Sequence, residues 1–166
     1  MTSRTYEVAS ALVSEATSLG VNCATAESCT GGLVSAAITS VPGSSMVLRG
    51  AVVSYHPEVK HALLGVTREV IDDPAVGVVS EQCARQMCQG VARVLGADLA
   101  VSTTGIAGPG GGEPGKPVGT VWFGLSAGGR SRCVLRHFDG SRDEVRAAAV
   151  LVALELLREG IKELST

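Results

Sequence analysis

The fold is decided by a stretch of nineteen residues that reads Val21-Asn22-Cys23-Ala24-Thr25-Ala26-Glu27-Ser28-Cys29-Thr30-Gly31-Gly32-Leu33-Val34-Ser35-Ala36-Ala37-Ile38-Thr39. Its first part, Val21 to Ala26, is short and ends in polar residues, which is typical of a strand. After Gly31 and Gly32, an apolar helix pattern extends to about Thr39. A strand that runs through a polar turn into a helix predicts a domain in which helices pack on a sheet.

The same alternation continues on both sides of this stretch. Helix patterns with capping residues cover 5–19, 56–64, 80–95 and a last segment that opens at the capping box Ser141-Arg142-Asp143-Glu144. Strand patterns cover 47–55, 98–104, 118–127 and 132–138, and Gly128-Gly129 joins the last two as a hairpin. We therefore predict a single α/β domain over 1–166, with three α/β/α layers and a mixed, mostly parallel sheet.

The composition argues against several classes of protein. Of the 166 residues, 45% are hydrophobic and 18% are charged, which suffices for one buried core. The formal net charge of −2 argues against a general nucleic-acid binder, which needs a basic face. No apolar run approaches the roughly 18 residues that span a bilayer, and the first residues lack a signal-peptide pattern. We expect a cytoplasmic protein without nucleic-acid or membrane partners.

The cysteines give no sign of a metal site. There are five of them, without a CxxC pair, and no histidine lies at zinc-finger spacing. We expect reduced, mostly buried thiols, and we expect neither a metal nor a cofactor.

The turn between the quoted strand and helix carries the first candidate chemistry. Ser28 would lie at the end of a strand and at the positive end of a helix, whose free N–H groups can hold an oxyanion. Gly31 and Gly32 let a substrate approach the backbone closely. The geometry is related to the nucleophile elbow of α/β hydrolases, although the G-x-S-x-G spacing is absent. Two alternatives stay open: Ser28 or Thr30 only caps the helix, or Cys29 is the nucleophile.

A serine nucleophile needs a group that takes its proton. The histidines His56, His61 and His137 form no recognisable triad with Asp or Glu. Lysine is an alternative base when burial lowers its pKa towards neutrality, and Lys60 lies on a short helix after an apolar strand. Tyr55 ends that strand, so its hydroxyl could relay a proton or donate to the oxyanion. The other interpretation of Lys60 is a solvated surface lysine.

A glycine- and proline-rich loop covers 105–117 and follows a strand that ends in Ser102-Thr103-Thr104. Such a loop exposes N–H groups that can cradle a phosphate, and Lys116 adds positive charge. Gly110, Gly112 and Gly115 match G-x-G-x-x-G, but prolines and a strand follow where a dinucleotide site requires a helix. The alternative is a flexible connection.

Three parts of the chain, taken together and in this order, resemble the CinA C-terminal domain family. They are Thr25-Ala26-Glu27-Ser28-Cys29-Thr30-Gly31-Gly32, then Tyr55 with Lys60, then Thr104-Gly105-Ile106-Ala107-Gly108-Pro109 through Lys116-Pro117-Val118-Gly119-Thr120-Val121-Trp122. Members of this family are described as amidases that hydrolyse nicotinamide mononucleotide to nicotinate mononucleotide and ammonia. The resemblance implies that Ser28 is the nucleophile, Lys60 the general base and Tyr55 an assisting residue.

The expected substrate-binding residues lie in the same motifs. Around the nucleophile they are Glu27, Thr30, Gly31 and Gly32, with N–H groups near Ser28 and Gly31 facing the oxyanion. At the glycine-rich loop, which is expected to hold the ribose phosphate, they are Ser102, Thr104, Gly105, Gly108 and Lys116. The family commonly has Ser-Asn-Glu-Ala between the tyrosine and the lysine, where this chain has His56-Pro57-Glu58-Val59, which puts any contact of that asparagine in question.

The expected partner is therefore a small phosphorylated amide, and the apolar surfaces of the first and last helices favour a homodimer. Two other functions stay open. One is a different amidase or esterase that uses the same serine on another small phosphorylated amide, which activity on unphosphorylated nicotinamide or nicotinamide riboside would support. The other is a nucleotide-binding or interaction module without catalysis, which would bind the nucleotide and release no ammonia.

Overall fold

Five strands form one sheet in the computed structural model, which describes residues 2–164. The strands are β1 Cys23–Glu27, β2 Leu48–Val53, β3 Leu99–Gly105, β4 Thr120–Ala127 and β5 Arg130–His137. They lie side by side in the order β2-β1-β3-β4-β5. The helices are α1 Ser3–Leu19, α2 Leu33–Thr39, α3 Pro57–Leu64, α4 Arg68–Ile71, α5 Glu81–Leu95 and α6 Arg142–Leu164, and a 3-10 turn covers Ser44–Met46.

Most strands of this sheet run in one direction. β1 pairs in parallel with β2 and with β3, whereas β4 pairs antiparallel with both β3 and β5. Because β5 is antiparallel to β4, it runs in the same direction as the first three strands. The predicted mixed, mostly parallel sheet is confirmed.

The carboxyl ends of β1, β2 and β3 meet at one edge of the sheet. Glu27, the last residue of β1, lies opposite Val53 of β2 and Thr103 of β3. The residues that come next along each strand direction are Ser28, Ser54 and Thr104. Since parallel strands deliver their following residues to the same edge, this register places the serine turn beside the segments that lead to Lys60 and to the glycine-rich loop.

Helices cover both faces of the sheet, as the predicted three layers require. On one face, α1, α2 and α6 bury a large apolar cluster that includes Leu12, Phe123 and Leu157. On the other face, α3 and α5 bury a smaller cluster that includes Leu64 and Met87. The smaller cluster matters for the site because α3, which carries Lys60, is held against the sheet by α5.

Several strand boundaries and one element differ from the sequence-based prediction. β5 begins at Arg130 rather than at 132, because Gly128 and Gly129 both have positive φ and close a two-residue turn that pairs Ala127 with Arg130. β2 ends at Val53 rather than at Tyr55, and β4 begins at Thr120 rather than at 118. The helix α4 was not predicted, since four residues are too few to show a helical period.

All five cysteines are free, and all but Cys133 are buried, so the expectation of reduced, mostly buried thiols is confirmed. Between residues 2 and 164, no helix combines the length and the apolar character needed to cross a membrane. The predicted homodimer stays a prediction.

Candidate active site

The centre of the site is a contact between Ser28 and Lys60. Ser28 follows β1 directly, and Lys60 lies in the middle of α3. Lys60 Nζ donates a hydrogen bond to Ser28 Oγ at 2.9 Å. The structure therefore joins two side chains that the sequence separates by 32 positions.

Lys60 is a buried lysine whose ammonium group is held by hydrogen bonds alone among the described residues. Its side chain is 1% exposed, and Nζ also donates to the carbonyl oxygens of Ser54 at 2.6 Å and Tyr55 at 3.4 Å. Among the ion pairs formed by residues 2–164, none involves Lys60. Burial lowers the pKa of Lys60 below its usual value, because water no longer solvates the ammonium group. The interpretation of Lys60 as a solvated surface lysine is wrong.

The helix that carries Lys60 begins at His56 and Pro57, two residues that differ from the family pattern. His56 is the N-cap of α3 and its Nδ1 accepts a hydrogen bond from Glu58 N–H at 3.2 Å. Pro57 occupies the first turn, where a missing N–H costs nothing. His56 and Pro57 thus form a regular helix start, and the placement of Lys60 is kept.

Glu27 lies beneath the serine turn, not in a cavity. Its carboxylate is fully buried and accepts five hydrogen bonds of 2.7–3.0 Å. The donors are Thr25 Oγ1, Thr30 Oγ1 and the N–H groups of Gly32, Val34 and Ser35. The carboxylate therefore takes the N–H groups at the start of α2 that were expected to face an oxyanion.

Two N–H groups of the serine turn also have partners within the protein. Ser28 N–H donates to the Thr103 carbonyl at 2.9 Å, and Gly31 N–H donates to the Ser28 carbonyl at 3.1 Å. The turn uses these two groups to hold its own shape, and the expectation that N–H groups near Ser28 and Gly31 face the oxyanion stays a prediction. Gly31 and Gly32 have φ values of 61° and 97°, so this turn needs residues that tolerate the left-handed region.

Ser28, Tyr55 and Lys60 line one cavity of about 210 Å³. The tyrosine hydroxyl accepts a hydrogen bond from Arg142 Nη2 at 3.1 Å, so its described partner is neither Ser28 nor Lys60. Arg142 also donates from Nη1 to the Gly108 carbonyl at 2.9 Å. This arginine thereby ties the tyrosine to the glycine-rich loop.

Arg142 was missed by the sequence reasoning, which treated 141–144 only as a capping box. One signal was available. An arginine in the first turn of a helix faces the positive end of the helix dipole, where acidic residues are preferred. An unfavourable charge at such a position indicates a role other than helix formation.

A second cavity of about 470 Å³ adjoins the first, and the two share Val78, Val79, Gly105, Ala107 and Arg142. Its wall includes the glycine-rich loop with Gly108 and Lys116. Lys116 Nζ lies at this wall and donates to the Val76 carbonyl at 2.7 Å. The loop is thus the wall of a cavity that leads to Ser28, which favours a binding role over a mere connection.

Three residues that were predicted to bind the substrate have hydroxyl groups that form hydrogen bonds within the protein. Ser102 Oγ is fully buried, donates to the Ala84 carbonyl at 2.6 Å and accepts from Gly124 N–H at 3.1 Å. Thr30 Oγ1 is likewise buried and donates to Glu27. Thr104 does line the smaller cavity, but its Oγ1 donates to the Val78 carbonyl at 2.6 Å. In this structure Ser102, Thr30 and Glu27 support the fold around the site and do not face it.

Within residues 2–164, no group of three or more His, Cys, Asp and Glu side chains is arranged to hold a metal ion. The polar side chains that line the two cavities are hydroxyls, a thiol, cations and carboxylates: Ser28, Tyr55, Thr104, Cys29, Lys60, Lys116, Arg142, Asp72, Asp73 and Glu113.

Comparison with known proteins identifies the family. The model of the CinA C-terminal domain matches residues 5–161, which is nearly the whole chain. The chain belongs to the CinA C-terminal domain family. The CinA-type motifs quoted above all fall within the matched residues.

Relatives within the CinA family differ in length. A protein named nicotinamide-nucleotide amidohydrolase PncC, from Enterobacter agglomerans, is 48% identical over 139 residues, which cover 82% of this chain and 84% of that protein. A CinA-like protein of Dictyoglomus thermophilum is 45% identical over 84% of this chain, but only 33% of that relative is covered. The chain spans about a third of the length of such CinA-like relatives.

The CinA fold is also seen in solved structures. The crystal structure of the competence/damage inducible protein CihA from Agrobacterium tumefaciens is 40% identical and superposes with a TM-score of 0.92. The match covers 96% of this chain and 97% of that one. The described architecture is therefore that of the CinA superfamily.

Proposed function

We propose that this domain is a nicotinamide-nucleotide amidase, which hydrolyses the carboxamide of nicotinamide mononucleotide to nicotinate mononucleotide and ammonia. The observation that carries the proposal is the 2.9 Å contact between Ser28 Oγ and the buried Lys60 Nζ, which forms no ion pair among residues 2–164. A relative at 48% identity bears the name of this activity. Together they favour a serine amidohydrolase over a non-catalytic binding module.

In the first step, neutral Lys60 takes the proton of Ser28. The serine oxygen attacks the carboxamide carbon, a C–O bond forms, and the carbonyl electron pair moves to the oxygen. A lysine serves as base here because its burial favours the neutral amine at a pH where an exposed lysine is charged. No other side chain contacts Ser28 Oγ through a described hydrogen bond.

In the second step, the carbonyl re-forms, the C–N bond breaks, and the proton held by Lys60 passes to the departing nitrogen, which leaves as ammonia. Tyr55 lines the same cavity, and Arg142 holds its hydroxyl, so we assign it the relay of this proton. Water then attacks the acyl-enzyme while Lys60 takes its proton and returns it to Ser28. Each proton that leaves one group is received by another, and no external oxidant or reductant is required.

The nucleotide part of the substrate would occupy the 470 Å³ cavity. The wall of this cavity carries the carboxylates of Asp72, Asp73 and Glu113 as well as two cationic side chains, Lys116 and Arg142. The two cations and the N–H groups of the glycine-rich loop are the groups that a phosphate would contact. The two cavities share a wall. One ligand can therefore place its phosphate at the loop and its carboxamide at Ser28.

The test is ammonia release from nicotinamide mononucleotide by the purified domain. Ser28→Ala should lower turnover by about a thousandfold or more, and Lys60→Ala should lower it to a similar extent. Ser45→Ala is the matched control, because Ser45 is exposed and lies in the 3-10 turn outside both cavities. Full turnover in Ser28→Ala contradicts the mechanism. No release by folded wild-type protein contradicts the substrate.

A further inference from the structure

Two charged side chains of opposite sign hold the serine turn, here residues 27–35. They are the buried Glu27 and the half-buried Arg146. Glu27 accepts from the N–H groups of Gly32, Val34 and Ser35, as described above. Arg146, one turn into α6, donates from Nε to the Cys29 carbonyl and from Nη2 to the Thr30 carbonyl, both at 3.2 Å. The carboxylate thus accepts hydrogen bonds from backbone N–H groups of the turn, and the guanidinium donates hydrogen bonds to two of its backbone carbonyls.

These contacts decide which N–H groups of the turn stay free. Ser28 and Gly31 N–H donate to carbonyls of the protein, and Gly32 N–H donates to Glu27. By contrast, within residues 2–164 neither Cys29 N–H nor Thr30 N–H donates to another residue. Of these two residues, Cys29 lines the cavity together with Ser28. Its N–H lies against its own thiol and donates to no other described residue, so it is the N–H group of the turn that remains available at the cavity.

The orientation of that N–H follows from the carbonyls around it. In a trans peptide unit the C=O and the N–H point in opposite directions. Gly31 N–H holds the Ser28 carbonyl, which belongs to the same peptide unit as Cys29 N–H. Arg146 holds the next carbonyl, that of Cys29, and so fixes the following peptide plane. Rotation of either plane would break a hydrogen bond, so the turn keeps one arrangement.

We propose that Glu27 and Arg146 are positioning residues that grip this turn through its donors and acceptors, and so hold Cys29 N–H as the oxyanion donor. The inference rests on the proposed acyl transfer at Ser28. Neither residue lines the serine cavity, so both act through the backbone that they hold. Their loss should lower the rate of attack on a carbonyl or phosphoryl centre without weakening the binding of the nucleotide.

Arg146 provides the cleaner test, since Glu27 is fully buried and its substitution endangers folding. Arg146→Gln removes the charge and at least one of the two hydrogen bonds, and Arg146→Lys keeps the charge but can contact only one carbonyl at good geometry. The matched control is Arg158→Gln on the same helix, because Arg158 pairs with Glu15 and is remote from both cavities.

The readout is the second-order rate at which a fluorophosphonate labels Ser28, followed by intact mass. Ser28 Oγ displaces fluoride at phosphorus, and the phosphoryl oxygen uses the same oxyanion donor. We expect Arg146→Gln to slow labelling roughly 10- to 100-fold, with Arg146→Lys between it and wild type. With nicotinamide mononucleotide, kcat should fall by a similar factor, KM should stay unchanged, and the midpoint of the pH profile should not move, because Lys60 is untouched.

Labelling of Arg146→Gln within twofold of Arg158→Gln overturns the inference, and so does a loss confined to KM. If Arg146→Gln does not fold, Arg146→Lys decides by the same criteria. Wild-type protein that is labelled at Ser28 but releases no ammonia from the nucleotide removes the proposed substrate and leaves this inference in force. Failure of the one is therefore distinguishable from failure of the other.

Discussion

Lys60 Nζ and Ser28 Oγ lie 2.9 Å apart at an edge of the sheet, and within residues 2–164 no carboxylate forms an ion pair with the lysine. The other acceptors of Nζ are the backbone carbonyls of Ser54 and Tyr55. Neutral acceptors stabilise an ammonium less than a carboxylate does, so the cost of its desolvation is not offset by an ion pair. The surroundings of Lys60 therefore favour a neutral amine next to the Ser28 hydroxyl.

The first prediction concerns pH. Because burial lowers the pKa of Lys60 below 10.5, the neutral base becomes populated at a lower pH than for an exposed lysine. We expect kcat/KM for nicotinamide mononucleotide to rise with pH and to level off before pH 10.5, as the lysine loses its proton. Lys60→Arg should lose both the activity and the rise, because arginine stays protonated. A wild-type rate that falls from pH 7 to pH 9 would rule out Lys60 as the base.

The second prediction concerns the rival nucleophile, Cys29. Burial raises the pKa of its thiol to about 11, so at pH 8 roughly one thiol in a thousand is ionised. Since the thiolate is the nucleophile, Cys29→Ala should keep turnover within a few-fold of wild type, and iodoacetamide at pH 8 should not inactivate the enzyme. Ser28→Ala is the comparison, because it should lose turnover. Inactivation of Cys29→Ala to the level of Ser28→Ala would make the cysteine the nucleophile.

How well the sequence predicts a residue of this site depends on how far along the chain that residue lies from its contacts. Ser28 was found because its strand, turn and helix are local patterns. For Lys60, the residues alone leave a general base and a surface lysine open, and only the family resemblance favours the base. Arg142 and Arg146 contact residues that precede them by 87 and 117 positions, and no local pattern encodes such contacts.

Glu27 shows a different difficulty. The sequence assigns it to the substrate because it lies in the motif around the predicted nucleophile. The structure turns it inward because the N–H groups at the start of α2 lie within reach. Five residues separate Glu27 from that helix, and the last two of them, Gly31 and Gly32, have positive φ and let the chain fold back over the carboxylate. The direction of the Glu27 side chain therefore depends on a turn conformation that the sequence does not reveal.

The third prediction concerns how closely α5 approaches α3. A Cβ added at Gly90 would lie 2.0 Å from the carbonyl oxygen of Leu64, the last residue of α3. Gly90→Ala should therefore push the two helices apart and cost about 1–3 kcal/mol of the free energy of unfolding. Because α3 carries Lys60, turnover should fall as well. Urea unfolding and ammonia release measure the two effects.

The control for this substitution is Gly110→Ala, since nothing lies within 4 Å of a Cβ at that position. Its free energy of unfolding should stay near that of wild type. If Gly90→Ala is as stable as Gly110→Ala, the close helix contact does not determine the position of α3.

The fourth prediction concerns recognition of the phosphate by Lys116. This lysine lies at the wall of the 470 Å³ cavity, where its Nζ is held by the Val76 carbonyl at 2.7 Å. A charge-assisted hydrogen bond to a phosphate contributes about 1.5–3 kcal/mol. Lys116→Ala should therefore raise KM for nicotinamide mononucleotide about 10-fold or more. The value of kcat should change little, because Lys116 lines the larger cavity and Ser28 lines the smaller one.

Nicotinamide riboside, which lacks the phosphate, separates charge recognition from damage to the loop. Wild-type protein should hydrolyse the riboside poorly, and Lys116→Ala should leave that low rate unchanged, since no phosphate is present to lose. Lys116→Arg, which keeps the positive charge, should restore most of the affinity for the mononucleotide. An equal loss on both substrates would mean that Lys116 supports the loop through Val76 and does not recognise phosphate.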